Sequence, residues 1–432
     1  MKKINFLPII VLAAMFAVAC SGDDDSSSQP ATCSDGIQNG DETGVDCGGS
    51  CEPCEAGSEV TKSGILEEDE TWTADKIYFL EGKVVVGEDV TLTIEPGTII
   101  KGKPGQQSLA SALVVDQGGV LMAQGTAENP IIFTAESDNI QPGELYGSNL
   151  DEEDNGLWGG VIILGKAPIS APGDSETAQI EGIPASESYG QYGGTDPDDN
   201  SGIIRYISIR HGGVAIAPDN EINGLTLGGV GRGTTIENVE IVANQDDGIE
   251  WFGGTVNVTN ALVWAQGDDG FDTDQGWSGT MDNGIVIMSS ISGTALEMDG
   301  PEGTTGADMT HTLKNITLIG AGTTSGYADL RDGLLVNLEN VLAYGFGAEA
   351  TVKINGADSA TELANDNITF LDWQIVLPEN VNWENIFAGD FEPGDDTKFY
   401  NNAEAIDAAD ATSGANASVF DWTYAAAMGV EF

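Results

Sequence analysis

The sequence predicts an all-β chain wound into a right-handed parallel β-helix with covered ends, and three observations lead there. From about Val60 onward, short β-branched strands alternate with Gly/Asn/Asp turns, and no amphipathic helical period interrupts them. Glycine supplies 58 of 432 residues without a collagen-like period, roughly twice ordinary usage. In the middle of the chain the turns repeat in register: Asp246-Asp247-Gly248-Ile249-Glu250 and Asp268-Asp269-Gly270-Phe271-Asp272 stand 22 residues apart. A repeat of roughly 20–25 residues built from strands is a solenoid, in which each coil buries its apolar face only against its neighbours.

Taken in order, the chain opens on a lipoprotein-type signal over residues 1–19. Lys2 and Lys3 are followed by the apolar run Ile4–Val18 and the small-residue site Ala17-Val18-Ala19-Cys20. The run is too short to span a bilayer, and Cys20 is the expected lipid attachment point. Residues 20–32 form an acidic tether whose Ser21-Gly22-Asp23-Asp24-Asp25 resembles the surface-export signal of Bacteroidetes lipoproteins. That resemblance implies the outer face of the outer membrane.

Residues 33–54 carry Cys33, Cys47, Cys51 and Cys54, which suggests two disulfides with the connectivity open. Between the cysteines lies a stretch spaced like a twelve-residue calcium loop, with Asp35, Asn39, Asp41 and Asp46 as candidate ligands. A Gly/Asp-rich turn that binds nothing is the equal alternative. The β-helix occupies 60–432. Residues 60–90 are expected to cover its start, and the segment around Phe420–Met428 is expected to close its end. Asn238, Asn260, Asn283, Asn315 and Asn340 recur at one turn, a pattern that suits an internal side-chain ladder. Two polar excursions, 136–156 and 172–202, interrupt the coils and are candidates for recognition.

The charge narrows the function. Fifteen Lys+Arg against 70 Asp+Glu give a net charge of −55, which excludes sequence-independent nucleic-acid binding and attraction to anionic lipid. With Ile249, Phe271 and Leu296 inward, strand alternation turns Glu250, Asp272 and Glu297 outward, one above another about 4.8 Å apart. Asp274 and Asp299 form a second row beside them, and Asp246, Asp247, Asp268 and Asp269 lie in the turns leading in. Two carboxylates at that spacing repel by about 0.9 kcal/mol in water and about 3.5 kcal/mol at an effective dielectric of 20. Such a column needs a bound cation, a nearby Arg or Lys, or raised pKa values. Hard oxygen ligands with no nearby His or free Cys favour calcium. The candidate metal ligands are therefore Asp246, Asp247, Glu250, Asp268, Asp269, Asp272 and Glu297.

Asp268-Asp269-Gly270-Phe271-Asp272 resembles the calcium-binding run of β-helix pectate lyases that carry D-D-G-F-D, and Asp246 or Asp247 stands where those enzymes add an Asp from the preceding coil. Glu297 occupies the position of their proton-abstracting Lys, so the resemblance implies a calcium platform rather than lyase activity. More widely, the chain resembles the β-helix surface lipoproteins of Bacteroidetes. Trp277, placed after Gly276, and Tyr192 are candidate sugar contacts. His211 reads as a turn histidine, and Trp264 as core. The expected function is a surface-anchored polysaccharide binder, its ligand acidic and bridged by calcium, beside an outer-membrane transporter. The alternatives are a divergent lyase or hydrolase, the latter using Glu250 and Glu297 two coils apart, and a structural accessory subunit.

Overall fold

The structure is a computed structural model that describes residues 33, 50–51, 58–105, 109–214, 222–305, 309–323 and 325–432. The chain divides into two units, 1–54 and 55–432. In the first, Cys33 and Cys51 form a disulfide with their Cα atoms 5.5 Å apart. Cys20, Cys47, Cys54, the calcium-loop candidates Asp35, Asn39, Asp41 and Asp46, the signal and the tether lie outside the described residues.

The second unit is a right-handed parallel β-helix: one 24-stranded sheet winds through it, and a two-stranded pair lies apart. One ladder positions everything that follows. Val161–Leu164, Leu225–Gly228, Ile249–Gly254, Phe271–Trp277, Leu296–Met298, Ala328–Arg331 and Val352–Asn355 stack in parallel, each on the last. Inward residues Leu225, Ile249, Phe271 and Leu296 belong to one continuous core that runs the length of the solenoid. The glycine of each Asp-Asp-Gly turn is fixed by packing rather than by φ. A Cβ on Gly248 would lie 2.4 Å from Val263 Cγ1, and one on Gly270 2.5 Å from Val286 Cγ1. The core therefore reaches up to the backbone at the turn.

Between its other two walls the coil bends at one left-handed residue, in turn Tyr206, Asn238, Asn260, Asn283, Asn315, Asn340 and Asp372, with φ between 48° and 69°. Asparagine tolerates this conformation better than most residues, which explains its recurrence. The side chains form a ladder: Asn260 Nδ2 donates to Asn238 Oδ1 at 3.0 Å, Asn283 to Asn260 at 2.7 Å and Asn340 to Asn315 at 2.7 Å. The ladder is not sealed inside, as the sequence suggested. The C-terminal segment runs over it, and the backbone N–H groups of Gly414 and Asn416 donate to Asn340 Oδ1 and Asn283 Oδ1 at 3.2 and 2.6 Å.

That segment corrects a second expectation. It does not close the end of the helix; it folds back along the side. Phe420, Tyr424 and Ala425 pack on an outer strip of Val242, Leu262, Trp264 and Ile285. Ala425 N–H donates to the buried Glu240 at 2.9 Å, and the Arg210 guanidinium lies 4.5 Å over the Tyr424 ring. The far end is filled instead by aromatic residues, with Phe399 stacked on Phe387 at 4.9 Å and set edge-on to Phe370 and Trp373. At the start, Ser58–Leu66 already pairs in parallel with Lys76–Val86.

Replacing Phe420 with alanine is expected to lower stability by about 3–5 kcal/mol, because its ring is fully buried against the outer strip. A urea titration that leaves the midpoint unmoved would show that the returning segment does not clamp the coils.

Candidate functional site

Register alone builds the acidic column. Glu250 pairs with Asp272, Asp272 with Glu297, and Glu297 with Asp329. The side chains converge: one carboxylate oxygen each from Asp247, Glu250 and Asp272 lie within 4.8 Å of one another, and so do those from Asp246, Asp247 and Asp268. The first trio is buried, whereas Asp268 at the mouth of the second is exposed. The second Asp of each turn also ties one coil to the next. Asp247 Oδ1 accepts the Asp269 N–H at 2.9 Å, and Asp269 Oδ1 accepts the Thr294 N–H.

Burial is the main electrostatic cause throughout. It holds Asp247, Glu250 and Asp272 well above the usual carboxylate range; Asp246, Asp272 and Asp247, respectively, are the largest like charges adding to it. It pushes Asp269 up to about 10 and Asp274 up to about 7, with Asp247 and Glu302 next in importance. Asp268, Glu297 and Asp299 are also raised by burial, all three against the opposing pull of Arg331.

Arg331 is the residue that the sequence analysis missed. Its guanidinium spans the two rows, 2.7 Å from Glu297 and bonded to both oxygens of Asp299. Lys353, one coil further, stands 3.6 Å from Asp329. The alternation that revealed Glu297 runs on through Asp329 and Arg331, but 32 residues separate Asp299 from Arg331, so the longer coil hid the repeat. The column thus has two halves. Glu297 and Asp329 meet basic partners, while among the described residues no Lys or Arg forms an ion pair with Asp247, Glu250 or Asp272.

Around this second half, oxygen atoms lack partners. Thr226 precedes Glu250 in the ladder, and Asn223 donates its amide N–H to Glu250 Oε2. Both are buried, and Thr226 Oγ1, Asn223 Oδ1 and Asp272 Oδ1 have no hydrogen-bond partner among the described residues. Buried polar atoms left in this way are uncommon. The three converging carboxylates, with Thr226 and Asn223 adjoining Glu250, offer hard oxygen donors of the kind calcium takes.

The column is also roofed. The excursion around 168–194 lays Ile169, Ile180, Ile183 and Tyr192 on Ile162, Leu164 and Phe252 of the sheet face, and brings Glu181 within 3.5 Å of Asn223. On the other side, Gln275 Nε2 donates to Tyr192 Oη at 2.9 Å and to Glu302 at 3.0 Å.

Tyr192, only 2% exposed, is therefore part of the roof's packing rather than an open sugar contact. Trp277 is fully buried, stacked between Trp251 at 4.8 Å and His311 at 5.1 Å, with its N–H donated to Val256 O. Strand alternation from the inward Phe271 already points Trp277, six residues on, toward the same core; a neighbouring glycine does not expose it. Trp264 is buried as expected, but against the returning C-terminal segment rather than in the solenoid interior.

Compared with known proteins, residues 64–427 match the family described as pectate-lyase like beta helix domain. No curated protein and no solved structure matches the chain.

The raised carboxyls set a pH dependence. Their folded pKa values lie above the unfolded ones, so the folded state retains protons and its advantage is lost as pH rises through the folded values. His311, which burial lowers to about 3, is neutral in both states above pH 7. In metal-free buffer, stability should therefore fall between pH 7 and 9, by about 1.4 kcal/mol per pH unit for each proton still held. Asp269, at about 10, contributes across that whole window. Denaturant midpoints at pH 7, 8 and 9 measure this, and a flat or rising series contradicts it.

Proposed function

The chain belongs to the pectate-lyase-like β-helix family, a carbohydrate-related one, and from that premise we propose that it is a calcium-dependent polysaccharide-binding protein rather than a lyase. The observation that carries the reading is the convergence of Asp247, Glu250 and Asp272 beside the unpartnered oxygens of Thr226 and Asn223. Those five side chains would hold calcium. The ion would neutralise the covered half of the wall, so that a uronate polymer meeting the open half beside it faces less negative charge.

The open half of the wall suits the same ligand. Glu297 and Asp329 are half-buried there, and Arg331 and Lys353 present positive charge at 35% and 44% side-chain exposure. Both are placed to meet a glycan's carboxylates while the neighbouring acids accept from its hydroxyls.

Lyase chemistry needs a base to take the proton beside the uronate carboxylate. The position expected to carry a lysine holds Glu297, and the nearest basic group, Arg331, is held firmly in its charged form by Asp299 and Glu297. A guanidinium so held is a binder and a poor proton acceptor. Attachment through a lipid on Cys20 at the outer-membrane surface, and service to an outer-membrane transporter, complete the proposal. They rest on the N-terminal sequence.

Calorimetry of the protein with polygalacturonate, in calcium and in chelator, tests the binding reading. Binding should appear in calcium, weaken at least about tenfold in chelator, and leave no unsaturated uronate product in the ultraviolet. Calcium at a hundred times its Kd should add about 2.7 kcal/mol of stability, and Asp272→Asn should remove most of that gain. Accumulation of unsaturated product would replace binding with the lyase reading. Chelator without effect on binding or melting would remove calcium.

A further inference from the structure

The roof over the acidic column is held in two different ways at its two edges. Its body is apolar, with Ile169, Ile180 and Ile183 on the sheet face. One edge is fastened by hydrogen bonds: Asp174 Oδ1 accepts the N–H groups of Thr304 and Thr305 at 2.6 and 3.0 Å, and Ser170 O accepts the Gly303 N–H at 2.8 Å. Gly303 is needed for this approach, since a Cβ there would lie 2.5 Å from Ala171 O. The edge nearest the column carries a negative charge towards negative charges. Glu181 shares the Asn223 amide with Glu250, 3.5 Å from the nitrogen, and adds to the field that Asp272 and burial already impose on Glu250.

An apolar underside favours closure whatever the ionic state. The Glu181 edge does not: it closes against Glu250 only at the cost of repulsion in a water-poor space, where charges act strongly. A divalent ion among Asp247, Glu250 and Asp272 would reverse the sign of that contribution, and Asn223, whose Oδ1 has no partner, already links the two carboxylates.

We propose that segment 168–194 is a cation-locked cover: an ion held by Asp247, Glu250 and Asp272 fastens it through Glu181, and loss of the ion loosens the Glu181 edge. Ion occupancy then decides whether the buried half of the wall is closed off or reachable. The proposal rests on the calcium reading above, and Glu181 is the residue that couples the two.

Hydrogen exchange by mass spectrometry on the full chain, with calcium or with chelator, tests it. Peptides across 168–194 should exchange roughly tenfold faster in chelator, while peptides across 236–242 in the solenoid wall stay unchanged. Glu181→Gln should abolish the difference, giving the same cover exchange in both buffers, with calcium still bound by the three column carboxylates but about tenfold more weakly, because the coupling is reciprocal. Calorimetry on the same samples separates the two ideas. Calcium binding with no change in cover exchange, or a Glu181→Gln protein that responds like wild type, overturns the cover and leaves the calcium site standing. No calcium binding overturns both, and calorimetry alone reads that outcome.

Discussion

Parallel stacking is the constraint on which everything else in this molecule depends. When coils stack in register, whatever occupies one position is repeated one strand spacing away in the next coil, about 4.8 Å off. For Leu225, Ile249, Phe271 and Leu296 that repetition builds a core. For the bend residues it builds an amide ladder, because asparagine is both donor and acceptor and satisfies its neighbour on each side. For Glu250, Asp272 and Glu297 the same geometry concentrates like charge. One rule of placement yields stability at two positions and an electrostatic problem at the third.

The chain answers that problem differently along the wall. Where the later coils reach it, Arg331 and Lys353 supply positive charge. Where the roof covers it, burial and mutual repulsion raise the pKa values of Asp247, Glu250 and Asp272, and neutral oxygens stand by without partners. Charge neutralised by side chains needs nothing from outside. Charge neutralised by protonation remains sensitive to pH and open to replacement by an ion. The division between the halves is therefore a division of chemistry and not only of exposure.

Much of the fold was legible in the sequence because a solenoid writes its geometry as a period. The spacing between Gly248 and Gly270 and the Asn turns gave the coil, and strand alternation from Ile249, Phe271 and Leu296 placed Glu250, Asp272 and Glu297 on one wall. What the sequence hid lay where the period lapses. Arg331 sits beyond a lengthened coil. Glu181, Asn223 and Tyr192 belong to or beneath an excursion whose return to the sheet no local pattern announces. An open solenoid end usually needs a cover, and the C-terminal sequence suits that role as well as the one it takes. An apolar strip on the side of the coils, together with a buried Glu240, took it instead.

That returning segment has a consequence for how the protein is made. Its contacts reach Gln374, Asn340, Thr317, Asn283 and Glu240 in turn, so residues synthesised after these coils fasten coils completed long before. Until they arrive, the strip of Val242, Leu262, Trp264 and Ile285 faces water, and Glu240 waits for its amide partner. A nascent chain that has not yet emitted residues 412–425 would thus present a sticky, unbuckled flank, and those residues act as its buckle.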